Sequence, residues 1–173
     1  MEAFGPEGSS QRPLIERAIA VDDIRALGLG RPITVRSDAT LQSVVETLQR
    51  EHIGCVLVTD ESGKLAGIFT ERDLLTKVAL RSLDWNEERV SAYMTADPEA
   101  LRPEDRIAWA LKLMHVGGYR HVPLIDESGR PVGVISVKDI VDFIVDLFPS
   151  PVLNLPPDPR RTGYSEGGSG EEG

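Results

Sequence analysis

Residues 60–73 read Asp60-Glu-Ser-Gly-Lys-Leu-Ala-Gly-Ile-Phe-Thr-Glu-Arg-Asp73, and residues 126–139 read Asp126-Glu-Ser-Gly-Arg-Pro-Val-Gly-Val-Ile-Ser-Val-Lys-Asp139. The two stretches align without a gap at an offset of 66 positions, and the same offset places Pro32 on Pro98. Internal repetition of this kind is the signature of a structural unit that occurs more than once. The sequence therefore predicts two copies of one small fold.

Each copy has the same predicted order of elements. An extended segment precedes an amphipathic helix whose apolar residues recur at helical spacing. A strand, the Asp-Glu-Ser-Gly hairpin turn, a second strand and a second helix follow. The predicted extended segments and strands are Ile33–Val35, Gly54–Thr59 and Leu65–Phe69 in the first copy, and Glu99–Leu101, His121–Ile125 and Pro131–Ile135 in the second. The second helices are expected to begin at Thr70 and Ser136.

The predicted fold class is α+β, a tandem pair of βαββα repeats that forms one compact pseudo-twofold module. A unit of about 50 residues buries too little apolar surface to be robust alone, so the two repeats are expected to share a core. Both ends of the chain are rich in proline and glycine, which predicts disorder there. The predicted divisions are a disordered N-terminus at 1–13, an introductory helix at 14–29, the first repeat at 30–81, a linker at 82–93, the second repeat at 94–148 and a disordered tail at 149–173.

The composition excludes several classes of partner. Nineteen Lys and Arg residues against 28 Asp and Glu residues give a formal net charge of −9, which opposes binding to nucleic acid or to an anionic membrane surface. Apolar runs are far shorter than the roughly 20 residues that span a bilayer, and the N-terminus lacks the pattern of a secretory signal. A cytoplasmic protein is expected. Cys55 is the single cysteine, so neither a disulfide nor a thiolate zinc cluster forms within the chain.

The repeated pattern Gly-h-h-[Ser/Thr]-x-x-Asp, in which h is an apolar residue, has two interpretations. A hydroxyl residue followed three positions later by a carboxylate is typical of a helix-capping box. The same two side chains, if they face a cleft, suit a nucleotide, because a carboxylate accepts hydrogen bonds from both ribose hydroxyls and a helix N-terminus attracts phosphate. A carboxylate that points into a cleft is expected not to cap its helix, so the two interpretations compete.

The same pattern, repeated after a hairpin in two tandem units, resembles the cystathionine-β-synthase (CBS) domain pair, or Bateman module. The resemblance covers about residues 30–148 and includes Val90-Ser-Ala-Tyr-Met-Thr95, which is similar to the opening of a CBS repeat. It implies a stand-alone, non-catalytic regulatory module that binds ATP, ADP, AMP or an adenosyl relative in clefts between the repeats. The ligand is regulatory, and no catalytic cofactor is implied.

The resemblance also implies which residues bind that ligand. One cleft receives Thr70 and Asp73 and the other Ser136 and Asp139, each Asp accepting from the ribose hydroxyls. The remaining candidates are Arg72, Lys138, Arg120 and His121 for phosphate, and Ile53, Cys55, Val56, Val122 and Pro123 for the base. Ser136, Lys138, Asp139, Arg120 and His121 form the preferred phosphate site. The first cleft is expected to carry less charge, because Gly54 and Cys55 occupy the positions of Arg120 and His121.

Two other functions stay open. A ligand-free module that only dimerises or docks on a partner is the main alternative, and an enzyme ranks third because no nucleophile, metal site or acid–base pair is indicated. The segment Ile140–Phe148 is apolar on most faces, so it is either buried within the monomer or part of a subunit interface. The resemblance favours a homodimer, with the effector protein unidentified.

Overall fold

The computed structural model describes residues 16–147 of the 173-residue chain. The predicted disordered segments 1–13 and 149–173 lie outside the described residues, as do positions 14–15 and 148 of the neighbouring predicted elements. Among the residues that are described, no helix has the length and hydropathy to cross a membrane.

The leading segment is two short helical pieces rather than the single introductory helix predicted over 14–29. Helix α1 ends at residue 21, and a 3-10 turn, Ile24–Leu27, follows. The break occurs at Asp23, which has an extended backbone and whose side chain caps the turn by accepting from the Arg25 N–H at 3.0 Å. Ile24 is fully buried in the core of the second repeat. The leading segment therefore belongs to that repeat by packing, although it precedes the first.

The first repeat contains β1 (Thr34–Arg36), α2 (Leu41–Glu51), β2 (Cys55–Thr59), β3 (Leu65–Thr70) and the short α3 (Glu71–Asp73), which continues as a π-helical turn, Leu74–Val78. The second contains a 3-10 turn, Val90–Ala92, then β4 (Thr95–Ala96), α4 (Ile107–Gly117), β5 (His121–Ile125), β6 (Pro131–Ser136) and α5 (Val137–Leu147). The predicted α+β class with two repeats is confirmed.

The strands form two sheets. The first has the order β1-β2-β3-β4, with β1 parallel to β2 and the other pairs antiparallel, and the second is the antiparallel pair β5-β6. Strand β4 comes from the opening of the second repeat, yet it pairs with β3 of the first. The two repeats are thus joined through a shared sheet.

The extended segment predicted at Glu99–Leu101 is reduced to one parallel bridge between Leu101 and Leu124. Two prolines account for the loss. In the first repeat, the Leu57 and Ser37 N–H groups donate to Ile33 and Thr59 at the ends of the β1-β2 ladder. Their counterparts at the 66-residue offset are Pro123 and Pro103, which have no N–H to donate.

The two hairpins confirm the turn chemistry that the repeated tetrapeptide predicts. Asp60 Oδ1 accepts from the N–H groups of Ser62 and Lys64 at 2.8 and 2.9 Å, and Gly63 takes the left-handed φ of 80° that the turn requires. Asp126 and Gly129 repeat this arrangement, with a glycine φ of 82°.

Each repeat has its own apolar cluster, and a third cluster lies between them. Phe69 is fully buried in the first cluster and Ile135 is nearly so in the second. The third consists of Cys55, Leu57 and Ile68, with Val134 of the other repeat packed against it. The repeats therefore share apolar packing, as the small size of each one requires.

Phe69→Ala is expected to lower the free energy of unfolding by about 3–5 kcal/mol, because it removes a fully buried ring and leaves a cavity. Leu80→Ala is the control, since Leu80 is 99% exposed. Urea denaturation followed by circular dichroism measures both changes. Equal stability of the two variants would contradict the placement of Phe69 in the core.

Candidate functional site

Two cavities lie side by side where the repeats meet. Cavity A has a volume of about 380 Å³ and is lined by residues 70–73 of the first repeat and by residues 95–99 and 119–121 of the second. Cavity B has a volume of about 490 Å³ and is lined by residues 136–139 of the second repeat and by residues 30, 31, 33 and 52–55 of the first. Both volumes are typical of small-molecule sites. Each cavity combines the strand-to-helix junction of one repeat with the opening segment and central strand of the other.

The wall between the cavities is common to both. Gly54, Glu71, Arg120 and His121 line cavity A and cavity B alike. The absence of a side chain at Gly54 brings the two central strands together, since a Cβ there would lie 3.3 Å from His121 Cε1. A ligand in either cavity therefore lies near groups that also border the other.

The β3–α3 junction places Asp73 at the inner end of cavity A. Asp73 Oδ2 accepts from the Thr70 N–H at 2.9 Å and from Thr70 Oγ1 at 2.7 Å, and the Asp73 N–H donates to Thr70 Oγ1 at 3.2 Å. These bonds form a complete capping box. Asp73 Oδ1 accepts from Lys77 Nζ at 2.7 Å and from Thr95 Oγ1 at 3.3 Å, so both oxygens of this buried carboxylate have partners.

The β6–α5 junction has the same capping geometry in cavity B. Asp139 Oδ2 accepts from the Ser136 N–H at 2.6 Å and from Ser136 Oγ at 2.7 Å. Within residues 16–147, Asp139 Oδ1 has no hydrogen-bond partner, unlike Asp73 Oδ1. Cavity B thus offers a lone carboxylate oxygen that is held in place by the cap on the other oxygen.

The expected competition between capping and facing a cleft is wrong. Asp73 and Asp139 cap their helices and line cavities at the same time. This is achieved because a carboxylate has two oxygens, and the cap uses one of them at each junction. Thr70 and Asp73 line cavity A, and Ser136 and Asp139 line cavity B.

The predicted phosphate-binding side chains have different surroundings. Arg72 donates to the Gly118 carbonyl of the other repeat at 3.0 Å, and Lys138 pairs with Asp142, a bond that raises the pKa of the ammonium. Arg120 has no side-chain hydrogen bond or ion pair among the described residues. His121 is half-buried, and burial, followed by the adjacent Arg120 charge, lowers the pKa of its imidazole. His121 is therefore neutral at pH 7.

The predicted base-facing residues divide into three groups. Ile53 and Cys55 line cavity B, and Pro123 lines cavity A. Val56 and Val122 line neither cavity, because they point into the apolar clusters of their own repeats and are fully buried. Burial also raises the pKa of the Cys55 thiol to about 12, so it is not a thiolate nucleophile at neutral pH.

The structure shows which repeat supplies which wall, a point that the sequence left open. Asp73 of the first repeat shares cavity A with Arg120 and His121 of the second, and Cys55 lies in cavity B. All five residues of the preferred phosphate site line cavity B: Ser136, Lys138, Asp139, Arg120 and His121. Arg120 and His121 belong to the wall that both cavities share.

Sequence reasoning missed several lining residues. They are Arg31 and Ile33 in cavity B, Asp97, Glu99 and Tyr119 in cavity A, and Glu71 in both. The 66-residue offset contained a usable signal for one of them, because Tyr119 is the counterpart of the predicted residue Ile53. The described residues contain no group of three His, Cys, Asp or Glu side chains suited to a metal ion.

The sequence profile of the CBS domain matches this chain twice, at residues 23–80 and 90–146. The chain belongs to the CBS domain family. The two matches are tandem copies, which confirms the resemblance drawn from the repeated motif.

Known relatives agree with this assignment. The CBS-domain containing protein ATU1752 from Agrobacterium tumefaciens is 34% identical, with a TM-score of 0.62 over 70% of this chain and 98% of that one. Arabinose 5-phosphate isomerase KdsD of Pseudomonas aeruginosa is 31% identical over 79% of this chain, which spans 40% of the isomerase's length. The CBS pair of protein MJ0100, solved with 5′-methylthioadenosine and S-adenosylmethionine, is 23% identical with a TM-score of 0.63 over 71% of this chain and 99% of that one. At that identity the likeness shows the fold alone.

The position of His121 predicts a pH dependence of stability. Because the pKa of this imidazole is lowered from 6.5 on folding, the unfolded state binds more protons, and its contribution to stability is present above pH 6.5 and is lost as pH falls below it. The free energy of unfolding of His121→Gln should therefore decrease less than that of the wild type between pH 7 and 5. Urea denaturation at half-unit pH steps measures the slopes, with His115→Gln as control. Parallel slopes in wild type and His121→Gln would contradict the burial of this side chain.

Proposed function

We propose that this CBS pair is a non-catalytic sensor of an adenosine-containing ligand. Binding of the ligand changes the arrangement of the two repeats, and this change is the signal. The observation that carries the proposal is the composition of the cavities, each of which takes one wall from each repeat. A ligand that contacts both walls favours the arrangement in which they are close, by as much as its affinity for that arrangement exceeds its affinity for others. Regulation then requires no bond to be made or broken.

The chemistry of cavity B suits the ribose and phosphate of a nucleotide. Asp139 Oδ1 is available to accept from a ribose hydroxyl, and Arg31 and Arg120 bring guanidinium groups, which bind phosphate in a bidentate manner. Ile53 adds an apolar surface for the base. The complex of MJ0100 with two adenosyl compounds supports a ligand of this class.

The absence of an activated group in the cavities argues for a sensor rather than an enzyme. The Cys55 thiol is protonated at neutral pH, and a helix cap occupies one oxygen of Asp73 and one oxygen of Asp139. Among residues 16–147, no side chain stands out as a nucleophile held by a base and an orienting partner.

A homodimer is the second part of the proposal. Helices α4 and α5 carry large apolar side chains that are exposed in the monomer, among them Trp109 (62%), Val116 (76%) and Val141 (50%). A second copy of the chain, with the same helices, offers a matching apolar surface around a twofold axis.

The sensor proposal predicts that an adenosine-containing ligand raises the melting temperature. A ligand present at 100 times its Kd adds about 2.7 kcal/mol to the free energy of unfolding. A thermal-shift panel of ATP, ADP, AMP, S-adenosylmethionine and 5′-methylthioadenosine at millimolar concentration measures the effect. No shift with any of the five would leave the ligand-free docking module as the better description.

Asp139→Ala tests the site within that panel, with Thr40→Ala as the matched control. Both substitutions remove a helix-capping side chain and should each lower the free energy of unfolding by about 1 kcal/mol. Thr40 caps α2 outside both cavities. Only Asp139→Ala is expected to lose the rise in melting temperature that a ligand bound in cavity B causes. Equal rises in the two variants would contradict a role of Asp139 in binding.

Replacement of Trp109 by Glu is expected to dissociate the dimer without unfolding the monomer, because the side chain is exposed and a buried charge at an interface is costly. Analytical ultracentrifugation measures the mass of the wild type and the variant. Arg102→Gln, which lies outside α4 and α5 and also changes the net charge by one unit, is the control. A monomeric wild type at micromolar concentration would contradict the proposed interface.

A further inference from the structure

The two cavities differ in charge. Cavity A is lined by four carboxylates against two guanidinium groups, and cavity B by three cationic side chains against two carboxylates. Glu71, Arg120 and the neutral His121 are common to both, so the difference arises from the residues that the cavities do not share. The largest contribution comes from the opening segments of the two repeats.

The opening segments carry opposite charges at equivalent positions. At the 66-residue offset, Arg31 of cavity B corresponds to Asp97 of cavity A, and Ile33 corresponds to Glu99. The Asp97 N–H donates to the Ala66 carbonyl at 3.1 Å, which holds this turn against the first sheet. Neither the Asp97 nor the Glu99 carboxylate is paired with a cation among the described residues, so their charge acts on whatever occupies the cavity.

The cations of cavity A offset its carboxylates only in part. Arg72 keeps its charge while it donates to the Gly118 carbonyl, and Lys77, which is outside the lining, pairs with Asp73 at 2.7 Å. In cavity B, Lys138 is paired with Asp142, which leaves Arg31 and Arg120 as the cations without an ion pair to a carboxylate outside the lining. An anionic phosphate in cavity A would therefore face an excess of negative charge from Asp97 and Glu99, whereas a cationic group would be attracted to it.

An aromatic wall completes cavity A. Tyr119 lies where cavity B has Ile53, and its ring packs directly against the backbone of Gly117, with the position of a Gly117 Cβ only 2.6 Å from Tyr119 Cδ2. A glycine at this position leaves room for the ring. Aromatic faces stack on nucleobases and attract cations.

We propose that the cavities divide adenosine ligands by charge, with phosphorylated nucleotides bound in cavity B and a neutral or cationic nucleoside without phosphate bound in cavity A. The division rests on the proposed sensor function. Asp97 and Glu99 select against phosphate in cavity A, and Arg31 selects for it in cavity B. The module then responds to two ligands of different charge at once.

Three adenosine ligands that differ only at the 5′ position test the division by isothermal titration calorimetry: AMP, adenosine and 5′-amino-5′-deoxyadenosine. In the wild-type protein, AMP is expected to bind with a stoichiometry of one per chain. The amino nucleoside is expected to bind AMP-saturated protein with a stoichiometry of one as well, and more tightly than adenosine.

Isosteric variants assign each ligand to its cavity. The double variant Asp97→Asn, Glu99→Gln should raise the Kd of the amino nucleoside about tenfold and leave the Kd of AMP at cavity B within twofold. Arg31→Gln should raise the Kd of AMP about tenfold and leave the Kd of the amino nucleoside unchanged. The double variant Glu61→Gln, Glu127→Gln and the single variant Arg102→Gln, whose side chains lie outside both cavities, are the charge-matched controls. Unchanged melting temperatures show that the variants are folded.

Two results would overturn the division while leaving the sensor intact. One is AMP binding at two equal sites per chain, and the other is equal sensitivity of both ligands to the Asp97/Glu99 and Arg31 variants. If none of the three ligands binds but another ligand of the thermal-shift panel raises the melting temperature, the division fails and the sensor function stands. If no ligand of that panel has an effect either, both fail.

Discussion

In each repeat, one carboxylate accepts the hydrogen bonds that fix the junction between the second hairpin strand and its helix. The position of the cavities depends on this junction. Asp73 and Asp139 each accept from the N–H and hydroxyl of the residue three positions earlier, which turns the chain from strand into helix at once. The first helical residue is bonded to the segment that begins the central strand. The Glu71 N–H donates to the Gly54 carbonyl, and the Val137 N–H donates to the Arg120 carbonyl. The helix N-terminus, the carboxylate and the central strand are thereby held at one edge, which is where the cavities form.

The exchange of walls between the repeats follows from the size of the unit. A repeat of about 50 residues needs a neighbour to cover its sheet, and the third apolar cluster, with Cys55 and Ile68 against Val134, provides that cover. Once the sheets are packed this way, the junction of one repeat faces the opening of the other, so a site cannot be completed within a single repeat. In the proposed sensor, ligand binding and repeat packing are coupled by this geometry, and the coupling needs no long-range pathway.

Much of this arrangement was readable from the sequence, because the strongest signals are local. The Asp60 and Asp126 turns, the helix starts at Thr70 and Ser136 and the two-repeat fold follow from residues within a few positions of one another. Three features depended on the tertiary structure. The effect of Pro103 and Pro123 on the second repeat required the strand register. The position of Asp139 in both a helix cap and a cavity lining required the coordinates of its two oxygens. The presence of Asp73 and Arg120 in one cavity required the relative placement of the repeats. Val56 and Val122 were misassigned because a buried strand has no face that the sequence marks as ligand-facing.

A crystal structure of the protein grown with saturating AMP tests the central claim most directly, because it shows whether one ligand contacts both repeats. The account predicts the nucleotide in cavity B, with a ribose hydroxyl within hydrogen-bond distance of Asp139 Oδ1 and the phosphate near Arg31 or Arg120. Both repeats would then contact the same molecule. A nucleotide bound elsewhere on the surface, or two empty cavities in such crystals, would contradict it.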